Sequence, residues 1–171
     1  MKIFHPHESQ AQKFRNFIFG VEDSLVSTVG VLSGVAFADV PRATIFLTGV
    51  IIIFVEAFSM GAGSFLSESS GFEYLNRRRF FTGKPAILSS ALWMFAGYFC
   101  AGFIPLAPYL IADVAYALPA SVGSSLIALF ILGVWSGNVA KTRMLYSGMR
   151  MLFIGGGAIA IGMIVGTLLK I

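Results

Sequence analysis

Five long apolar stretches, separated by short polar segments, follow one another along the sequence. A membrane-spanning helix needs about 20 mainly apolar residues to cross about 30 Å of hydrocarbon, and each stretch is about that long. The predicted spans are Phe17 to Ala38, Arg42 to Leu66, Ala86 to Ile104, Ala120 to Ala140 and Met151 to Leu169. The pattern therefore predicts an all-α polytopic membrane protein, with a five-helix transmembrane domain over residues 17–171 after a polar N-terminal segment of residues 1–16.

The composition supports a membrane protein and excludes several other classes. The chain is 57% hydrophobic and 12% charged, with a mean hydropathy of +0.84, whereas about a quarter of the residues in a soluble domain are charged. No catalytic triad, phosphate-binding glycine loop, CxxC or HExxH motif occurs, so we expect neither an enzyme nor a bound cofactor. The basic residues lie at the ends of the apolar stretches, so we also expect no nucleic acid partner.

The distribution of positive charge predicts the orientation of the chain. With five spans, all lysines and arginines except Arg42 and Lys170 fall on one side of the membrane, including the run from Arg77 to Arg79. By the positive-inside rule that side is cytoplasmic. We therefore expect an integral membrane protein with its N-terminus in the cytoplasm and its C-terminus outside.

The second span contains polar residues that lipid contact alone does not explain. Glu56 is the only charged residue between Arg42 and Glu68, and Met60 follows it by one helical turn. An acidic side chain in the centre of a membrane helix costs about 2.5 to 3.5 kcal/mol on insertion scales. Such residues usually have a function, and this one lies close to a thioether.

A tight turn at Asp39 and Pro41 makes the first two spans an antiparallel hairpin. Residues at equal distance from the turn then lie at the same membrane depth. The predicted pairs are Asp23 with Met60, Ser27 with Glu56, and Arg15 with Glu68. Carboxylates, a thioether and a hydroxyl are therefore expected to converge in the cytoplasmic half of the hairpin.

This mixture of ligands favours a first-row transition metal over calcium or magnesium, because hard cations gain little from sulfur. When the metal leaves, buried carboxylates take up protons, which is the chemistry of a proton/metal antiporter. The predicted metal ligands are Asp23, Glu56 and Met60, and the candidate path-lining residues are Ser27, Ser64 and Glu68.

Simpler interpretations of the same residues remain open. Asp23 precedes Ser-Leu-Val and also fits the N-cap of the first span. Met60 also fits ordinary packing, and Glu56 a purely structural role. His5 and His7 fit metal capture at the cytoplasmic entrance but equally an ordinary polar tail.

Two stretches resemble a known family. VEDSLVSTVGVLSGVA (Val21 to Ala36) and EAFSMGAGSFLSESS (Glu56 to Ser70) are similar to the two signature helices of the vacuolar iron transporter family, which includes yeast-type vacuolar iron/manganese transporters and plant nodulin-21-like proteins. The resemblance implies a five-helix homodimer whose ion path lies at the dimer interface and is lined by the first two spans of each subunit. It implies that Asp23 and Met60 are transport-site ligands and that Glu56 lines the same path.

The resemblance also implies export of ferrous iron, often with manganese, from the cytosol to the vacuole or the cell exterior in exchange for protons. This chain departs from the family pattern in having Ser24 after Asp23, and Ser64 where an acidic residue is common. The connection from Ser67 to Pro85 contains only Glu68 and Glu73, so the Glu-rich cytoplasmic metal-binding domain of eukaryotic members is missing from it. We therefore expect a minimal member, in a prokaryotic plasma membrane rather than a vacuolar one.

The sequence thus predicts a homodimeric, proton-coupled exporter of Fe2+ and/or Mn2+, with the metal as substrate rather than cofactor. Two alternatives remain: a transporter of another small cation or solute, and a non-transporting structural or assembly protein whose polar residues hold helices together.

Overall fold

The computed structural model describes residues 6–75 and 84–168, which form helices joined by short turns. The helices are α1 (Pro6–Phe37), α2 (Arg42–Leu75), α3 (Lys84–Leu106), α4 (Pro108–Ile111), α5 (Val114–Val139) and α6 (Met144–Leu168). All except the one-turn α4 are long and apolar enough to cross a membrane, which makes five candidate spans in the described part of the chain. The predicted all-α fold with five membrane-spanning helices is confirmed.

The helices extend beyond the predicted apolar spans. Helix α1 begins at Pro6 rather than Phe17, and α2 continues past Leu66 to Leu75. Helix α6 begins at Met144, before the predicted start at Met151. Hydropathy marks the part of a helix that contacts hydrocarbon, whereas the backbone hydrogen bonds continue into the polar ends.

The full length of α1 removes one interpretation of Asp23. This residue lies in the middle of α1, far from its start at Pro6. It therefore cannot be the N-cap of the first span, because that role requires a residue at the helix boundary. Another reason for a carboxylate at this position is needed.

Helix α3 is the main partner of both arms of the α1–α2 hairpin. Helix α1 packs most extensively on α3, and α2 also packs mainly on α3, with a smaller direct contact between α1 and α2. Gly97 allows the close approach of α1 and α3, since a Cβ atom there would lie 2.8 Å from the Phe17 carbonyl oxygen. A side chain on α3 can therefore reach the polar residues of both arms.

Helix α6 packs on the other side of α1 through glycines. Gly30 and Gly34 of α1 face Gly162 and Gly166 of α6, and a Cβ atom at Gly34 would lie 2.9 Å from the Gly162 carbonyl oxygen. Small residues four positions apart let the backbones of two membrane helices approach closely. The GxxxG pattern of α6 thus meets a second GxxxG pattern within the same chain.

The lysines and arginines whose side chains the structure describes, apart from Arg42, lie at one end of the helix bundle, which we call the basic end. They are Lys13 and Arg15 near the start of α1, Lys141 and Arg143 between α5 and α6, and Arg150 in the second turn of α6. Phe14 of α1 contacts Trp135 of α5 with ring centroids 5.4 Å apart, which brings these segments together. Arg42 lies at the opposite end, where it donates a hydrogen bond of 3.3 Å to the Ala112 carbonyl. His5 and the run from Arg77 to Arg79 lie outside the described residues, as does the side chain of His7.

Candidate functional site

Polar residues follow α2 at intervals of one helical turn. They are Glu56, Met60, Ser64 and Glu68, each four positions from the next. Because 3.6 residues complete a turn, such a stripe rotates by about 40° at each step. Glu56 is accordingly exposed, whereas Glu68, nearer the basic end, is partly buried between helices.

The structure brings two predicted ligands from different helices together. Asp23 of α1 and Glu56 of α2 lie within electrostatic range of each other, although the depth argument paired Asp23 with Met60 and Glu56 with Ser27. Met60 is one turn from Glu56 on α2 and is partly buried. The hairpin therefore presents two carboxylates and a thioether within the membrane-spanning part of the bundle.

Tyr98 of α3 lies within electrostatic range of this carboxylate pair and was not predicted from the sequence. Its side chain is completely buried, and its hydroxyl shares a 2.8 Å hydrogen bond with the Ser27 hydroxyl. It interacts electrostatically with both Asp23 and Glu56. The Ser24 hydroxyl donates a 2.7 Å bond to the Tyr98 carbonyl, which ties α1 and α3 together at this level.

A third carboxylate, Glu22, lies next to Asp23 and was also not predicted as a site residue. It interacts electrostatically with Asp23 and with Arg150 of α6. Because Arg150 offsets part of its charge, Glu22 links the site to the basic end of α6. The adjacent position in the sequence was the only signal for it.

A second polar group lies nearer the basic end and centres on Glu68. Its Oε1 atom accepts hydrogen bonds from Asn16 Nδ2 at 2.6 Å, Ser64 Oγ at 3.2 Å and Ser90 Oγ at 3.3 Å. Asn16 Nδ2 is also 2.8 Å from each of the two serine hydroxyls. Asn16 and Ser90 are each 2% exposed, so the group lies largely buried between α1, α2 and α3. We call it the Glu68 cluster.

Reflection of the hairpin had placed Arg15 opposite Glu68, and the structure places the neighbouring Asn16 there instead. Successive side chains on a helix point about 100° apart, and equal depth does not determine which of them faces the partner helix. Arg15 is exposed and lines the same cavity as Glu68.

A cavity of about 650 Å³ opens between α1, α2 and α3 beside the Glu68 cluster. Its polar walls include Ser64, Glu68 and Asn16, and its sulfur-containing walls are Met60 and Met94. Met94 belongs to α3 and was not predicted as a site residue. The cavity thus adjoins the predicted ligand Met60 on the side toward the basic end.

Within residues 6–75 and 84–168, no three His, Cys, Asp or Glu side chains lie close enough together to hold a metal ion. A metal ion held by Asp23, Glu56 and Met60 therefore has two acidic ligands at most from this predicted set. Further ligands must come from thioethers, hydroxyls, water or another chain.

The fold and these residues define a polytopic membrane protein with carboxylates and thioethers on the membrane-spanning part of its helices. The model of the VIT family matches residues 14–83 and 80–167, so the chain belongs to that family. The family is one of membrane transporters rather than enzymes, and membership implies metal-ion transport in general.

One relative is an uncharacterized protein of Methanocaldococcus jannaschii. It is 33% identical over 61 residues, which cover 36% of this chain and 30% of the relative. The matched segment is thus less than a third of the relative's length.

Proposed function

We propose that this protein is a proton-coupled transporter that exports Fe2+ and/or Mn2+ from the cytosol, and that Asp23, Glu56 and Met60 hold the metal during transport. The observation that supports this most directly is the interaction of Asp23 with Glu56 across the α1–α2 hairpin, inside the membrane-spanning region. The family to which the chain belongs supplies the general class of substrate.

Two carboxylates within electrostatic range of each other provide a physical basis for exchange. Their like charges repel, and the repulsion grows as the dielectric constant of their surroundings falls. A divalent cation relieves the repulsion, and so does protonation. Binding of one therefore displaces the other, which couples outward movement of metal to inward movement of protons.

Met60 provides the basis for selecting a transition metal. Mg2+ and Ca2+ bind thioethers poorly, whereas Fe2+, Mn2+ and Co2+ accept a thioether ligand when carboxylates supply the charge. The metal is substrate in this proposal, and no resident cofactor is needed.

The exposure of Glu56 supports a homodimer. Glu56 is exposed on the single chain, as are the neighbouring Val55 and Phe58. A carboxylate facing lipid costs about 2.5 to 3.5 kcal/mol. A second copy packed by twofold symmetry on this face of α2 removes that cost and brings a second set of ligands to the path.

We assign the basic end to the cytoplasm by the positive-inside rule. The connection between α2 and α3 is too short for the added metal-binding domain of eukaryotic members. We therefore propose the plasma membrane of a prokaryote. A vacuolar membrane is the alternative.

Purified protein in liposomes, loaded with a metal-sensitive dye and a pH dye, tests the proposal. We expect Fe2+ and Mn2+ to enter the vesicles while protons leave, so that the internal pH rises. Mg2+ should compete poorly with both metals. Asp23→Asn should abolish the flux. Asp113→Asn is the matched control, because Asp113 is exposed and its side chain makes no cap hydrogen bond to α5.

Equal flux from the Asp23→Asn and native proteins would refute the site. Metal flux without a pH change would refute proton coupling. Absence of any metal flux, with helix packing weakened by Glu56→Gln, would favour the structural role instead.

A further inference from the structure

Helix α3 presents a line of buried side chains to the space between α1 and α2. Ser90, Met94 and Tyr98 follow at intervals of four residues and are 2%, 7% and 0% exposed. The line covers about 12 Å along the helix axis at 1.5 Å per residue. It runs from the Glu68 cluster, past Met60, to the Asp23–Glu56 pair, so α3 forms a third wall beside the polar stripes of the hairpin.

Met94 lines the cavity together with Met60, which adds a second methionine to its walls. Two methionines on different helices and one acidic residue, Glu68, thus line a single cavity of about 650 Å³. The volume is large enough for a metal ion with several water molecules, since one water occupies about 30 Å³ of liquid.

One oxygen of the Glu68 carboxylate has no hydrogen-bond partner. Its Oε1 accepts the three hydrogen bonds of the cluster, whereas its Oε2 is buried and has no hydrogen-bond partner in the described structure. A buried carboxylate oxygen without a donor is costly, and a cation is one way to satisfy it. The bonds from Asn16 and Ser90 hold the carboxylate in place for such a role.

We propose that this cavity is a second metal-binding station, toward the basic end from the Asp23–Glu56 pair, with Met94 and Glu68 as ligands and Met60 shared with the transport site. The ligand is a divalent first-row transition-metal ion that accepts sulfur, and water fills its remaining positions. The exposed Arg15 also lines the cavity, and its positive charge repels a cation. Because salt screens this repulsion, metal binding should be weaker at low salt than at high salt. Metal binding at this station is argued from the cavity alone. Transfer of the metal from it to the transport site rests on the proposed function.

The test uses the full-length protein with Asp23→Ala, so that the proposed transport site is already disabled. Binding of radioactive Co2+ is measured by equilibrium dialysis, with excess Mg2+ present. We expect Co2+ binding to persist, and Met94→Leu to weaken it at least about tenfold, as is typical for the loss of a group that supports a metal site.

Met151→Leu is the matched control, because Met151 is 5% exposed, comparable with Met94 at 7%, and packs in the core away from the cavity. Leucine and methionine have similar volumes, so both variants should fold. Glu68→Gln tests the second ligand and should weaken binding by a similar factor.

The outcomes separate this inference from the proposed function. No Co2+ binding in the Asp23→Ala protein, or equal affinity with Met94→Leu and Met151→Leu, overturns the second station and leaves the transport site intact. Binding that depends on Met94, together with normal transport by Asp23→Ala, supports the station and refutes the proposed transport site.

Discussion

The hydroxyl of Tyr98 on α3 lies 2.8 Å from the hydroxyl of Ser27 on α1, and the Tyr98 side chain is wholly buried. This bond connects α3, which packs against both arms of the hairpin, to α1. It lies within electrostatic range of Asp23 and Glu56. An oriented hydroxyl within electrostatic range of two carboxylates can accept or donate a proton, or bind a water molecule of a passing ion.

Tyr98→Phe removes only this hydroxyl. We expect unfolding free energy to fall by about 0.5 to 1.5 kcal/mol, the usual net contribution of one hydrogen bond. Transport in liposomes should slow, and its dependence on pH should change. Tyr116→Phe serves as the control, because Tyr116 is 75% exposed. Identical transport and pH profiles for the two variants would remove Tyr98 from the mechanism.

Asn16 provides a test of the Glu68 cluster. In Asn16→Ala, Glu68 loses its shortest hydrogen bond, and Ser64 and Ser90 lose a common partner. Loss of one partner of a buried, charge-assisted bond should lower the unfolding free energy by about 1 to 3 kcal/mol. Thermal unfolding in detergent measures the change.

Ser70→Ala is the control for this prediction, since Ser70 is an exposed position of α2. A surface substitution of that kind should change stability by no more than about 0.5 kcal/mol. Equal melting temperatures for the two variants would show that the cluster adds nothing to stability.

Much of the fold was predictable because each membrane-spanning helix appears in the sequence as a stretch of about 20 apolar residues. The tight turn at Pro41 also predicted that Asp23, Glu56 and Met60 converge in one half of the hairpin, and in the structure Asp23 and Glu56 lie within electrostatic range. Helix ends were less predictable, since polar residues continue α1 and α2 beyond the hydrocarbon.

The contribution of α3 could not be predicted in the same way. Its sequence is apolar all round, so its pattern does not show which face meets α1 and α2. Ser90, Met94 and Tyr98 are common residues in a membrane helix and give no signal individually. Their shared face becomes evident only when the packing of α3 fixes the rotation of the helix.

The glycine contact between α1 and α6 predicts an asymmetry among glycines of the same helix. A Cβ atom at Gly166 would overlap the Gly34 backbone, whereas one at Gly156 or Gly157 would meet nothing within 4 Å. Gly166→Ala should therefore destabilise the protein by about 1 to 3 kcal/mol. Gly156→Ala should be neutral or slightly stabilising, because alanine is the better helix former. Equal effects on thermal unfolding would contradict the close approach.

The proposed orientation is testable by cysteine labelling, since the chain has a single cysteine, Cys100. In a Cys100→Ser background, Asp113→Cys and Thr142→Cys place thiols at exposed positions at opposite ends of the bundle. A membrane-impermeant maleimide should label Asp113→Cys on intact cells, and Thr142→Cys only after permeabilisation. The reverse result would place the basic end outside.

The proposed homodimer makes a prediction about one face of α2. Ser59 is exposed and lies three residues from Glu56, so it belongs to the face that a second copy would cover. In a twofold interface, a residue near the axis meets its own counterpart. Ser59→Cys in the Cys100→Ser background should therefore form a disulfide-linked dimer under mild oxidation in membranes.

Ile127→Cys is the comparison for that experiment, because Ile127 is 63% exposed on α5, outside the α2 face. We expect it to remain monomeric on non-reducing gels under the same conditions. Since collisions in a crowded membrane would cross-link both variants, only a difference between them supports the interface. Cross-linking through Ile127 but not Ser59 would move the interface to α5, and the exposed carboxylate of Glu56 would then have to be hydrated by a water-filled path within a single chain.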